Sequence, residues 1–557
     1  HLTGGTLSVS GTINLGTFHQ TAGRLAGTQT FASGSVFNWS GGDWNATATG
    51  SITTIASGAT LNLSGSYRDF DYRSIVNQGT VNWSSGYLRS GHDGTFTNAA
   101  GATFNDQNAS GYSINRDYGG AHVFTNLGAY TRNVSGTTYV DTTFDNHGTV
   151  TIQQGDFQLR GGGTNSATGV FNTSSGATVR FTSDYSIANG SALTGAGDYH
   201  LTGGTLAVSG TINLGKFHQS GGRLSGTQTF ASGAIFNWTG GDWNAAAAGS
   251  TTTIASGATL NLSGSYFDFD YRSIVNQGTV NWSSGYLRGG HGSTFVNSTG
   301  GVFNDQNTSG YTVHNPFGGT FTFTNNGTYS KATTGTTTFS VPFTNNGTLA
   351  VTAGAVVFNS TFTNNGALAL GGGATLQSSG AISLGTSALT GTGTIHAASV
   401  TAGGLVSPGN SAGTLTLTGN LTLLATSTLL FELGGGTAGS GYDLLSVGGN
   451  ATLAGQLSLQ FLNGYQLSVP SGATFTVLTT GGTGGLTGSF TNIANGQHLL
   501  TSDGAGYFQV NYGIGSAFAA NSIVLSNFVA VPEPSTYVLL GLGAVVILWQ
   551  VRRRKQS

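Results

Sequence analysis

The chain repeats itself at two scales, and repetition constrains a fold more tightly than any single motif, because each copy must bury its apolar face against its neighbours. His1-Leu2-Thr3-Gly4-Gly5-Thr6-Leu7 returns as His200-Leu201-Thr202-Gly203-Gly204-Thr205-Leu206, an offset of 199 residues. Segments 54–67 and 74–89 return unchanged as 253–266 and 273–288. The closing segment Ser-Ala-Leu-Thr-Gly stands at 191–195 before His200 and at 387–391 before His396, which sets two modules, 1–199 and 200–395.

A shorter period runs inside the modules. Phe-Thr-Asn-Asn-Gly or a variant begins at Phe124, Phe144, Phe323, Phe343 and Phe362, with steps of 20, 20 and 19 where these are consecutive. Alternating stretches follow, such as Thr149-Val150-Thr151-Ile152 and Thr348-Leu349-Ala350-Val351. Alternation over four residues reads as a strand with one buried face, and Asn-Gly pairs supply the positive φ of tight corners. Short strands, Asn/Gly corners and a step near 20 predict coils of an elongated parallel β-helix (solenoid). An up-and-down barrel or an Ig-like array would alternate too, but an Ig-like fold repeats only at about 100 residues.

Composition agrees with an all-β body. Lys occurs three times, Glu twice and Met never, so strong helix formers are scarce, whereas aromatics make up 10% of the chain. Setting aside the basic C-terminus and Glu533, 13 basic residues face 18 acidic ones, a balance with no basic patch for nucleic acid. Cysteine is absent, which excludes disulfides and thiolate metal sites. With no methionine and no apolar leader after His1, the sequence reads as a fragment, with a signal peptide expected upstream.

From 396 to 530 the texture changes but stays β. Ser407-Pro408-Gly409-Asn410-Ser411-Ala412-Gly413-Thr414-Leu415 is followed by Gly441-Tyr442-Asp443-Leu444-Leu445-Ser446-Val447, by Ala451-Thr452-Leu453-Ala454-Gly455 and by Gly488-Ser489-Phe490. This order resembles the C-terminal passenger region of autotransporter-like β-helix proteins. After Val531 only 26 residues follow, too few for a translocating barrel, so the signal for export is sought in the tail.

The tail, 531–557, has three parts. Val531-Pro532-Glu533-Pro534-Ser535 precedes an apolar run from 537 to 551, and Arg552, Arg553, Arg554 and Lys555 follow at once. Fifteen helical residues reach about 22 Å, short of the roughly 30 Å hydrocarbon core, and snorkelling and local thinning cover part of the gap. The basic stop places the C-terminus in the cytoplasm and the body outside. This arrangement resembles the PEP-CTERM signal of Gram-negative, exopolysaccharide-producing bacteria. The resemblance implies that Pro532, Glu533 and Pro534 form the element recognised by an exosortase-type membrane protease. It also implies an inner-membrane anchor before processing and a cell-surface or matrix destination afterwards.

Little in the body reads as chemistry. The best carboxylate cluster is Tyr67-Arg68-Asp69-Phe70-Asp71-Tyr72-Arg73, which returns as Tyr266-Phe267-Asp268-Phe269-Asp270-Tyr271-Arg272. Asp69 and Asp71 would share a strand face, and surface ion pairs are the expected use, with a polysaccharide lyase or glycosidase as the alternative. The same aspartates are candidates for calcium, and the calcium β-roll nonapeptide is absent. The eleven histidines form no HxH or HxxxH pair, so no metal site and no cofactor are expected. Trp39 and Trp83 fit strand-core positions. Trp44 and Trp243, each after two glycines and an aspartate, are the candidates for an exposed glycan contact. The expectation is therefore a non-enzymatic, exported structural or adhesive protein, with exopolysaccharide as a partner.

Overall fold

Most strands form where the apolar–polar alternation runs for three to six residues, and most end near a glycine, asparagine or serine corner. Arg73–Asn77, Thr80–Trp83 and Tyr87–Ser90 alternate between buried and part-exposed positions and together make one coil. Gly94–Asn98, Thr103–Asp106 and Ser113–Arg116 make the next, and each strand pairs in parallel with its equivalent one coil earlier. The computed structural model describes residues 1–212, 215–409, 411–531 and 534–554. It is an all-β parallel β-solenoid of about 20 turns with one C-terminal helix, Pro534–Arg554, as the 20-residue echo predicts.

Two compact units divide the chain, one comprising 1–303 with 314–322 and the other 304–313 with 323–557. In the first, equivalent residues stack into interior columns: Leu61, Val81, Phe104, Tyr130, Val150 and Phe171 are register partners on successive strands. Phe96, Phe124 and Phe144 form a second column with centroid steps of 4.9 and 5.3 Å. Each buried ring contributes on the order of 2 kcal/mol of transfer free energy.

Asparagine lines one corner. Asn77, Asn98, Asn126, Asn146 and Asn165 are all buried, and each Nδ2 donates to the next Oδ1 at 2.7–2.8 Å. The ladder satisfies amides that burial would otherwise leave unpaired. The step from Asn98 to Asn126 is 28 residues, longer than the usual coil, and the extra length leaves the ladder unbroken.

The second unit repeats these devices, with Phe323, Phe343 and Phe362 in register and Asn325, Asn345 and Asn364 linked at 2.7 Å. At its C-terminal end Phe475–Thr480 pairs antiparallel with Ser522–Ala530, which pairs antiparallel with Gly506–Tyr512. These hairpins cover strand edges that would otherwise template further pairing.

The passenger-like motif has a structural meaning here. Asp443 is fully buried, and its two carboxylate oxygens accept the backbone N–H groups of Gly413 (2.9 Å) and Glu432 (2.8 Å). One side chain thus ties the serine-glycine turn, whose Asn410 lies outside the described residues, to the following strands.

Candidate functional site

The cluster around Asp69 faces outward, and coil stacking gives it partners that are distant in sequence. On the strand Tyr67–Asp69, Arg68 points into the solenoid while Tyr67 and Asp69 point out. One coil later Arg89 grips Asp69 with two parallel bonds, Nε to Oδ1 at 2.7 Å and Nη2 to Oδ2 at 2.8 Å. Its guanidinium also lies 4.1 Å from the centroid of the Tyr67 ring. This bond to Asp69 raises the Arg89 guanidinium further above its ordinary value. One coil earlier Asp43 pairs alongside Asp69, and Arg24 donates to Asp43 at 2.8 Å.

The position one coil before Tyr67 is held by glycines. Gly42 has φ +76°, and a Cβ on either Gly41 or Gly42 would collide with backbone carbonyls of the preceding coil. One side of the Tyr67 ring therefore meets Arg89 and Tyr87, and the other borders an open cleft. The cleft measures about 420 Å³ and is lined by Ser40, Gly41, Gly42, Asp43, Tyr67 and Asp69. Tyr67 is 49% exposed. The second copy rebuilds it with Thr239, Gly240, Gly241, Asp242, Tyr266 and Asp268 around about 380 Å³. There Arg288 holds Asp268 with two bonds of 2.6 Å and lies 4.1 Å from the Tyr266 ring. Arg68, buried at the back of the first cleft, becomes Phe267 in the second copy: its guanidinium sits 5.7 Å from the Trp39 ring, and burial pushes it down to about 10.

Asp71 does not join Asp69. It lies past the end of the strand, where His92 Nδ1 approaches its carboxylate at 3.0 Å and stacks on Tyr72 at 4.4 Å. Asp270, His291 and Tyr271 repeat this arrangement at 3.0 and 4.5 Å. Each aspartate of the supposed pair thus has its own guanidinium or imidazole partner.

Trp44 and Trp243 are a correction. Both are fully buried, so neither ring offers a face to a sugar. After the glycine turn the chain folds inward, and Trp44 stacks on Trp39 at 3.9 Å while its Nε1 donates to Gln20 Oε1 at 2.7 Å. Trp243 does the same with Trp238 at 4.0 Å and Gln219 at 2.7 Å. The signal that would have shown this is the buried Gln20, 24 residues upstream. Arg89, which completes the cluster, stands one 20-residue coil from Asp69.

At the C-terminus, Arg552, Arg553 and Arg554 are exposed in the last turn of the helix, with Arg553 4.1 Å from the Trp549 ring. Pro534 opens the helix, while Pro532, Glu533 and Lys555 lie outside the described residues. Residues 530–554 match the model of the PEP-CTERM protein-sorting motif. The tail carries a sorting signal. A motif of this kind implies export, membrane anchoring before processing, and processing by exosortase, a membrane protease. Among the described residues no helix is long and apolar enough to cross a membrane. No curated protein matches the chain. Among solved structures, the Haemophilus influenzae Hap adhesin is similar at 13% identity and a TM-score of 0.33, over 92% of this chain. The chain spans 64% of the length of that adhesin chain.

Proposed function

We propose that this chain is a structural and adhesive protein of the Gram-negative cell surface or extracellular matrix, delivered by its PEP-CTERM tail and holding exopolysaccharide in its duplicated clefts. In this reading 1–199 and 200–395 are duplicated solenoid modules, 396–530 is the passenger-like region and 531–557 is the sorting tail. The tail anchors through a short helix whose basic end snorkels, until exosortase acts at Pro532-Glu533-Pro534.

The observation that carries the adhesive role is the recurrence of one open cleft. An exposed tyrosine ring, a glycine floor and two carboxylates held by arginines form it at Tyr67 and again at Tyr266. An aromatic face suits the C–H face of a sugar ring, and the carboxylate and guanidinium groups suit its hydroxyls. Two weak sites on one chain bind a repeating polymer with an avidity about 10²–10⁴ above either alone.

The test is retention on immobilised exopolysaccharide. Tyr67→Ala or Tyr266→Ala alone leaves one site and should already remove the avidity, about 100-fold or more, and the pair together should abolish retention. Retention untouched by the double change, or none in the parent, would sink the adhesive role. Sorting is separable: Glu533→Ala should leave the tail uncleaved in cells, and normal processing would count against the assigned recognition element.

A further inference from the structure

Two histidines that are 18 residues apart in sequence meet on the outer face of the first unit. On the strand Asp198–Leu201 the alternation sends Tyr199 and Leu201 inward and leaves Asp198 and His200 outward. The strand Lys216–Gln219 pairs with it in parallel, with His200 and His218 as register partners. Their rings stack at 4.8 Å, and His218 Nε2 lies 3.5 Å from Asp198 Oδ1. One donor atom from each of Asp198, His200 and His218 falls within 4.8 Å of the other two, and all three residues are half-buried.

We propose that Asp198, His200 and His218 bind a divalent transition-metal ion of the zinc class. Two imidazoles and one carboxylate are the donors such an ion takes, whereas calcium and magnesium prefer all-oxygen sites. Bonds of about 2.0–2.2 Å to zinc require the donors to close by roughly 1 Å; half-exposed side chains achieve that by turning about χ1 and χ2. Arg180, the register neighbour of His200 on the preceding coil, is itself held by Asp156 at 2.8 Å. Lys216, the register neighbour of Asp198, is exposed.

An asparagine amide flanks His218. His218 Nδ1 lies 3.4 Å from Asn237, the end of an outer ladder in which Asn281 donates to Asn261 and Asn261 to Asn237, each at 2.9 Å. Turned over as a unit, the ladder presents Asn237 Oδ1 to His218 Nδ1–H and leaves Nε2 free for the ion. The ion would rivet two successive coils and keep at least one open coordination position.

The test is titration of the full chain with Zn²⁺ by calorimetry and with Co²⁺ by visible absorption, above pH 7. One equivalent is expected, with tetrahedral Co²⁺ bands and a raised midpoint of thermal unfolding. His200→Gln and His218→Gln should each abolish the bands, and Asp198→Asn should weaken binding at least tenfold. His19→Gln, which alters the matching strand of the first copy, should change nothing. No binding by the parent, or equal binding by His200→Gln and His218→Gln, would overturn the site. Folding of each variant is checked independently by far-ultraviolet circular dichroism.

Discussion

Arg132 Nη1 donates to Asp106 at 3.2 Å, and neither side chain has any exposure to solvent. Tyr130 and Thr138 also donate to this carboxylate, at 2.8 and 2.6 Å, so a polar network sits among stacked aromatic rings. The second copy substitutes Lys331, 3.4 Å from Asp305, and keeps Tyr329 and Thr337. Burial pushes the Lys331 ammonium down and the Asp106 carboxyl up, and the opposite charge works against both shifts.

Removing one partner leaves the other buried and uncompensated. Arg132→Met should therefore cost about 3–5 kcal/mol, whereas Asp106→Asn with Arg132→Met should recover most of that loss. Urea unfolding of the single and double variants measures both values. Equal destabilisation by the two would contradict the assignment of the loss to an unpaired charge.

His122 is buried where the second copy has Phe321. Its Nδ1 donates to the Asn115 carbonyl at 3.1 Å, and its ring packs edge-on to Phe70 at 5.3 Å. Burial pushes the imidazole down to about 4. Between that value and the unfolded value near 6.5 the unfolded chain binds more protons, so the contribution is full above 6.5 and is lost as pH falls towards 4. The loss amounts to about 3 kcal/mol. His122→Phe should flatten this part of the profile, and denaturant unfolding at pH 7 and pH 4 reads the difference. A variant with the parent's pH dependence would refute the role of His122.

Sequence period revealed the coils because every coil obeys the same rule, and the Phe-Thr-Asn-Asn-Gly corners fall where the structure has them. Contacts between coils were much less legible. Asp69 pairs with Arg89 and His200 with His218 only through register, and register depends on the exact length of each intervening corner. Trp44 misled because a polar, glycine-rich neighbourhood signals exposure, while its turn folds inward onto Gln20. Local composition reports a residue's neighbours along the chain, and in a solenoid half of the relevant neighbours lie one coil away.

The two asparagines of one corner separate these effects. Asn345 is fully buried, accepts from Asn325 and donates to Asn364, both at 2.7 Å. Asn346, the next residue, makes the same kind of contacts with Asn326 and Asn365 on the exposed side. Asn345→Ala strands a donor and an acceptor away from water and should cost about 2–4 kcal/mol. Asn346→Ala lets water replace both partners and should cost about 0.5 kcal/mol or less. Shifts in urea midpoint of similar size would mean that the ladder adds nothing beyond its exposed counterpart.

Gly409 and Asp443 give a coupling test within the passenger-like motif. Gly409 has φ +109°, and a methyl group there would run into Asp443 Oδ1. Gly409→Ala therefore combines backbone strain with a collision and should destabilise by more than about 1 kcal/mol. Asp443→Ala removes the acceptor of two backbone N–H groups and should cost about 2–4 kcal/mol. With the carboxylate gone the methyl still meets the Ser411 carbonyl oxygen but no longer Asp443, so the double variant should lose less than the sum, by about 1 kcal/mol. Hydrogen exchange at Gly413 and Glu432 supplies a local readout, since both amides lose protection only if Asp443 holds them. Strict additivity, or unchanged protection in Asp443→Ala, would mean that the buried carboxylate does not organise this turn.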